Sequence, residues 1–493
     1  MGREHTDTLG RMRAVLGSRT LYDLAGSLTW ERRVGRRPTN PTYAVLAFGV
    51  LARVSRSGVR MELDLAHPST WTWAREQMIQ AIAHHGLDLP EPGRRPPNWA
   101  HWRWLRDHHL ATDEGLAQLA RAFPPLAVAC ANRIGLLDKH GPGSLTHPDA
   151  SRAVYGDGTL IRPMYKPPVT VTVTDDDGST HLAYPDPRTG QLHDSPVGRF
   201  DPDLQMHHGQ LGSAMTHGYV CWHTRGPALY QRVVLAAAHI PAPGTESATA
   251  VSLLGDVHRA AGTGIQVAIY DGAMRGAHID QIMRRYGYLV LAKMATTSAT
   301  DDAHGTTLVV TPAGKRARSY PLGTATHTAN GTTCPHLLGV VNGQVVELGL
   351  DDAGDPVVTS TPTRTAVKRS RRATGQHHFN VGYRLTCAHE TFEVWLSPHP
   401  GKDGDTRRPE NLRVIPLADA DFQRLHGLRS DAESFHANLK RTLLVDRSMS
   451  LGWRRGLVDV YCFSLLNNAL TEQRAAQHER TTGTGRSRRT HLA

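Results

Sequence analysis

The sequence predicts a mixed α/β domain carrying a β-rich insertion and preceded by a mainly helical region. Three observations carry this. Residues 1–150 read as helical segments separated by Pro/Gly-rich joints. Residues 151–295 give three strands, then helix, strand, helix and strand, the order of a mixed α/β layer. Residues 296–412 break into short strands and turns.

In the helical region, Leu16 to Ala25 forms a short helix. Pro38-Thr-Asn-Pro-Thr42 is a helix start, with Asn40 as the cap and Pro41 at the first helical position, and the helix runs through Ala44 to Arg53. Just before it, Arg32, Arg33, Arg36 and Arg37 crowd one short loop. Leu87 to Pro97 is a Pro/Gly/Arg linker. Trp99-Ala-His-Trp-Arg-Trp-Leu-Arg106 then interleaves aromatic and basic side chains. Such a segment can stack on DNA, or Trp99, Trp102 and Leu105 can be the buried face of a helix. No helix-turn-helix pattern stands out, so DNA binding by this region rests on charge and position.

Gly141 to Pro148 is a linker by composition. Strands follow at Ala153–Ile161, Val169–Thr174 and Gly218–His223, with a long polar excursion over Asp175–Gln210. Ser247–Ala261 is a helix with Leu253, Leu254 and Val257 inward. Ile265–Asp271 is a buried strand ending in an acid, Met274–Tyr286 a helix, and Tyr288–Met294 another strand. The insertion has strands at Thr307–Thr311, Leu338–Val346, Pro356–Ser360 and Phe392–Ser397, and basic loops at Lys315–Arg318 and Lys368–Arg372. Residues 413–475 return to helices, one of them Gly456–Arg474, and 476–493 form a basic disordered tail.

The chain has 493 residues, enough for two to four domains, and a formal charge of +11. That charge favours a polyanionic partner, nucleic acid before an anionic membrane. Mean hydropathy is −0.39. No apolar run approaches the roughly 18–20 residues that span a bilayer, and no apolar core follows the basic start as in a secretory signal. The expectation is a cytoplasmic protein with no membrane partner. Five scattered cysteines, at 130, 221, 334, 387 and 462, argue for a reducing compartment. Cys334-Pro-His336 and Cys387-Ala-His389 are formally four zinc ligands, although the usual spacing is Cys-x₂₋₄-Cys.

Candidate chemistry centres on three acids. Asp157 sits mid-strand between two glycines, which leave room for an ion or a phosphate backbone. Asp271 ends a buried strand, where α/β folds place ligands. Glu433 lies in the stretch Asp421–Arg441. On a helix at about 100° per residue, with Glu433 at zero, His426, Arg429, His436 and Lys440 all fall within about 60° of it, while Leu428, Ala432, Phe435 and Leu439 form the adjoining apolar stripe. Ser430-Asp-Ala-Glu433 also fits a capping box, in which Glu433 would only tie off backbone N–H groups. Three converging carboxylates repel one another, a penalty that divalent metal removes. All-oxygen ligands suit two Mg²⁺ or Mn²⁺ ions rather than zinc.

Tyr-Gly-Asp157-Gly-Thr, Ile-Tyr-Asp271-Gly and Glu433, in this order, resemble the DDE transposases of bacterial insertion sequences. Arg429, Glu433 and Lys440 have the spacing of the Tyr-x₂-Arg-x₃-Glu-x₆-Lys signature found in the subgroup with a β-strand insertion; His426 stands where that signature has tyrosine. The resemblance covers roughly 150–470. It implies a ribonuclease H-like catalytic domain in two parts, 151–295 and 413–475, interrupted by the 296–412 insertion. The first acid would lie on the first strand, the second just after the fourth, and the glutamate on a later helix. It also implies binding of terminal inverted repeats by residues 1–150, metal-dependent cleavage of DNA ends, and strand transfer into target DNA by a homodimer assembled on DNA. Asp157, Asp271 and Glu433 would be both catalytic residues and metal ligands, with Arg429, Lys440 and His426 on the DNA. Trp395 either stacks on a flipped base or is a core tryptophan. The alternatives are a nuclease of the same fold that does not transpose, and a transposase-derived DNA-binding protein with an idle site.

Overall fold

The computed structural model describes residues 7–30, 39–209, 212–228, 230–294, 306–401, 407–442 and 447–482. Seven helices open it: α1 (Thr8–Gly17), α2 (Arg19–Ser27), α3 (Thr42–Val54), α4 (Gly58–Ala66), α5 (Pro68–His84), α6 (Trp99–Leu105) and α7 (Asp113–Arg133). The single helix expected at 16–25 is two, because Ser18 is extended, with φ −78° and ψ 119°. Pro41, not Asn40, caps α3. Asn40 instead accepts from Gly93 N at 3.1 Å and donates to Arg95 O at 3.1 Å, which ties the 87–97 linker down. Trp102 is fully buried against Gly49, where a Cβ would lie 2.5 Å from its ring, and Trp99 packs on Phe48 and over Gly58. Trp102 belongs to the core and the half-buried Trp99 packs against it, whereas Trp104 is 53% exposed. The arginine cluster at 32–37 lies outside the described residues.

The central sheet is built around β1 (Ala153–Ile161). A long strand, β6 (Gly212–Arg225), pairs with it antiparallel, and β7 (Arg232–His239) pairs antiparallel with β6. On the other side β8 (Val267–Tyr270) and β9 (Leu289–Ala292) continue the sheet in parallel. The spatial order is therefore β7-β6-β1-β8-β9, with β5 (Gln205–Gly209) pairing only with the outer half of β6. Parallel neighbours need crossovers, here α8 (Glu246–Ala261) before β8 and α9 (Gly276–Tyr286) between β8 and β9. The expected strand at 169–174 does not join this sheet: as β2 (Val171–Thr174) it pairs with β3 (Thr180–Pro185), which pairs with β4 (Leu192–His193), both within the polar excursion.

The insertion has two parts. A closed barrel comprises β10 (Thr307–Val310), β11 (Arg316–Ala329), β12 (Thr332–Val341), β13 (Gln344–Leu350) and β14 (Pro356–Ser360) around Val309, Val341, Val346 and Val358. A three-stranded sheet follows: β15 (Thr363–Arg371), β16 (His377–Thr386) and β17 (Thr391–Leu396). Two expectations fail here. The strand read over 338–346 is the end of β12, a turn at Asn342-Gly343 with φ of 50° and 82°, and the start of β13. Both expected basic loops are mainly strand: residues 316–318 start β11 and 368–371 end β15.

Among the described residues four α-helices follow: α10 (Arg407–Asn411), α11 (Ala420–His426), α12 (Ser430–Thr442) and α13 (Trp453–Thr482). Residues 476–482 of the expected tail are thus helical, and 483–493 lie outside the described residues. The α13 helix packs on β7 and on α1, α3 and α7, which joins the N-terminal helices and the sheet in one apolar core. Its polar side chains complete the sheet's edge. Asn468 accepts from Val234 N at 2.8 Å and donates to Val234 O at 2.9 Å, and Tyr461 donates to Ala237 O at 2.9 Å. Between α3 and α13 lies a buried ion pair, Arg53 to Asp459 at 3.4 Å, both side chains at most 2% exposed. Among the described residues no helix is long and apolar enough to cross a membrane.

Candidate acidic site on the central sheet

One guanidinium gathers the three acids singled out from the sequence. Arg429 Nη2 lies 3.0 Å from Asp157 Oδ1 and 3.9 Å from Asp271 Oδ2, and its Nη1 lies 3.6 Å from Glu433 Oε1. Three elements bring these groups together. Asp157 is mid-β1, opposite Cys221 of β6. Asp271 directly follows β8, β1's parallel neighbour, and accepts from Ala273 N at 2.9 Å. Glu433 is in the first turn of α12, whose Ala432, Phe435 and Leu439 are fully buried. The apolar stripe therefore docks α12 and leaves Glu433 facing the strand ends.

The 421–441 stretch is not one helix. A 3₁₀ turn at Gly427–Arg429 separates α11 from α12 and turns Arg429 toward the acids. The capping box does not form: Ser430 is helical at φ −53° and ψ −17°, and its hydroxyl donates to Gly427 O at 3.3 Å.

Electrostatics differ among the acids. Burial pushes Asp157 up, but His436, Arg429 and His223 outweigh it and hold the carboxyl below its ordinary range. His436 Nδ1 is 3.4 Å from Asp157 Oδ2. Asp271 and Glu433 reach solvent, with side chains 37% and 67% exposed. The His426 ring stacks on Phe422 at 4.8 Å, and burial, then Arg429 and Lys293, push it down to about 4. At neutral pH His426 is therefore uncharged, so it can stack or hydrogen-bond but offers phosphate no cation. Lys440 is half-buried two helical turns beyond Glu433. Arg429, expected on DNA, is turned inward among the acids, its side chain 15% exposed. Trp395 is at the surface rather than in the core, 37% exposed, with Lys368 Nζ 4.0 Å above its ring.

Two features escaped sequence reading. Glu246, at the start of α8, is a fourth carboxylate: it accepts from Tyr270 OH at 2.8 Å, and burial, then Asp271 and Asp157, push its carboxyl up. Its proximity also explains the glycines beside Asp157. A Cβ on Gly158 would lie 2.5 Å from the Glu246 carboxyl carbon, and one on Gly156 2.6 Å from the Tyr270 ring. The space these glycines leave is filled by the protein's own side chains, not left open for an ion. The second feature is His223, fully buried between Tyr155 and Phe435, which burial pushes down to about 3. From sequence the helix starts at Ser247, which leaves Glu246 just outside it, whereas the structure puts Glu246 in the helix's first turn.

The donors suit a hard cation: they are carboxylate oxygens, one held ionised, and three of them already surround a positive charge. They are arranged about a guanidinium, however, and among the described residues the group with ligand atoms all within 4.8 Å of one another is a different one, His327, His336 and Cys387. Metal held by Asp157, Asp271 and Glu433 requires Arg429 to swing out. No protein-family model matches this chain, and no curated protein does.

Proposed function

We propose that the chain is a metal-dependent DNA transposase with a ribonuclease H-like core, cutting the ends of its own element and joining them to target DNA. The observation that carries this is the convergence of Asp157, Asp271 and Glu433 on Arg429. Their stations support it too. Leaving aside the short β5, the acids lie on the first strand of the sheet, directly after the fourth, and on a helix beyond the β-rich insertion. The +11 charge agrees with a polyanionic substrate.

In this reading Asp157, Asp271 and Glu433 would hold two Mg²⁺ or Mn²⁺ ions, which when bound would activate a water or 3′-hydroxyl and stabilise the leaving oxygen. The chain's own contribution is positioning. His436 fixes the Asp157 carboxylate, and Tyr270 fixes Glu246 beside it. Arg429 guards the acids against mutual repulsion, then exchanges them for a phosphate, for which its planar fork is suited. Lys440 supplies a second cation on the same helix, and His426 a neutral ring beside the DNA.

A second reading, a DNA-binding protein with an idle site, is favoured by one observation: the guanidinium already neutralises the acids. One experiment separates the two. Labelled duplex carrying the inverted repeats that flank the coding region is incubated with Mg²⁺ and wild type or Glu433→Gln. Cleavage by wild type alone supports the transposase. Equal cleavage by both overturns the site, and binding without cleavage by either supports the second reading. Binding that does not weaken with salt would refute the electrostatic DNA reading.

A further inference from the structure

Away from the acids, the insertion brings together two cysteines and two histidines from two strands and a turn. His327 of β11 lies opposite Cys334 of β12, and His336 is two residues further along the same face. Cys387, in the turn after β16, comes from the neighbouring sheet. One ligand atom from each of His327, His336 and Cys387 falls within 4.8 Å of the others. The Cys334 thiol lies close enough to Cys387 for the two to interact. Of the four ligands suggested by the two Cys-x-His pairs, His336 and Cys387 converge, and His327 joins them; Cys334 lies just outside this group, and His389 is exposed.

Three of the four ring nitrogens of the His327 and His336 imidazoles are buried without a hydrogen bond, although Glu390 Oε1 lies 3.8 Å from His327 Nε2. Their side chains are only 8% and 7% exposed. Among the described residues, neither nitrogen of His327 has a hydrogen bond, and neither does Nε2 of His336. Leaving such buried groups unpaired is destabilising, and a ligand on them would remove that cost. The other nitrogen of His336, Nδ1, is 2.6 Å from Glu347 Oε1, and Glu347 Oε2 accepts from Ser360 at 2.8 Å. A carboxylate on one imidazole nitrogen is the usual support of a ring that ligates metal through the other. Phe392 stacks on His327 at 4.0 Å and covers the site with an apolar ring.

We propose that Cys334, Cys387, His336 through Nε2, and His327 bind one structural Zn²⁺. Two thiolates and two imidazoles are a tetrahedral set that closes the coordination sphere, and that softness selects zinc over Mg²⁺ or Ca²⁺. Each thiol releases its proton to solvent on binding. The ion clips the barrel to the three-stranded sheet, since Cys387 alone comes from the latter. The site takes no part in the proposed DNA chemistry.

The test uses the full chain, purified under reducing conditions and dialysed against metal-free buffer. Elemental analysis should find about one zinc per chain, with loss in Cys387→Ser and in His327→Ala. Cobalt added to chelator-stripped protein should give thiolate-to-cobalt charge-transfer absorption, absent in Cys387→Ser. If the variants do not fold, wild type still decides: chelation should release zinc and expose both thiols to a thiol reagent together. No zinc and no cobalt spectrum overturns the proposal. So does a metal-free chain lighter by a pair of thiol hydrogens, which would mean that Cys334 and Cys387 form a disulfide.

Discussion

Removing the Arg429 guanidinium tests the acidic site without any DNA. Arg429→Ala leaves Asp157, whose side chain is 11% exposed, without its partner at 3.0 Å, and leaves Asp271 and Glu433 facing it. Breaking a fully buried pair on one side costs about 3–5 kcal/mol. Here His436 stays at 3.4 Å from Asp157 and the other two acids reach solvent, so the cost should be about 2–3 kcal/mol. The assay is urea unfolding followed by tryptophan fluorescence at pH 7.5. A divalent cation should then do what the guanidinium did. At about 100 times its dissociation constant a bound ion contributes about 2.7 kcal/mol, enough to restore the variant. Mn²⁺ should therefore raise the unfolding midpoint of Arg429→Ala more than that of wild type, where the guanidinium competes. The pH dependence has a sign. A carboxyl depressed in the folded state stabilises above its unfolded pKa and loses that contribution as pH falls through the folded one. Arg429→Ala should therefore flatten the acid limb. An unchanged midpoint, or a variant indifferent to Mn²⁺, would refute the view that the three carboxylates form one electrostatic unit.

Three further outcomes are expected. Arg53→Met should cost about 3–5 kcal/mol by stranding buried Asp459, and the double variant Arg53→Met/Asp459→Leu should recover most of it; a double variant as unstable as the sum of both singles contradicts this. His223, pushed down to about 3, is neutral when folded, so stability should fall as pH drops below about 6.5, its unfolded value, toward 3. His223→Leu should reduce that slope in melting temperatures between pH 7 and 4.5, and an unaltered slope would rule His223 out as its source. Asn468→Leu leaves Val234 N–H and C=O unpaired, so it should cost about 2–4 kcal/mol and speed exchange of the Val234 amide, measured by hydrogen–deuterium exchange.

The acids were legible because their stations are local. A strand with glycines, a strand that ends in an acid and a helix with one apolar stripe can each be read within ten residues. The reason for the glycines was not legible, since Glu246 and Tyr270 approach from α8 and β8, far along the chain. Arg429's inward turn was hidden for a similar reason: a uniform helix angle cannot anticipate the 3₁₀ turn at 427–429. In the insertion, charge misled. Residues 368–371 read as a loop because they are basic, yet they are exposed positions at the end of β15. The turns at Asn330-Gly331 and Asn342-Gly343 had a readable hairpin signal, and weighing it would have divided the supposed strand at 338–346. The ligands of the proposed zinc site were half legible: the Cys-x-His pairs are in the sequence, but only hairpin register brings in His327.

The 30-residue α13 has a consequence for the order in which the molecule can form. It fills the groove among α1, α3 and α7 and also supplies the groups that finish the β7 edge. On the ribosome, the N-terminal helices emerge hundreds of residues before the helix that completes them. Until then their apolar faces stay open, and so does the edge of the sheet that carries Asp157. The acidic site and the N-terminal helices therefore mature together, in one late step. A nascent chain holding every other element still has an unfinished scaffold beneath its acids.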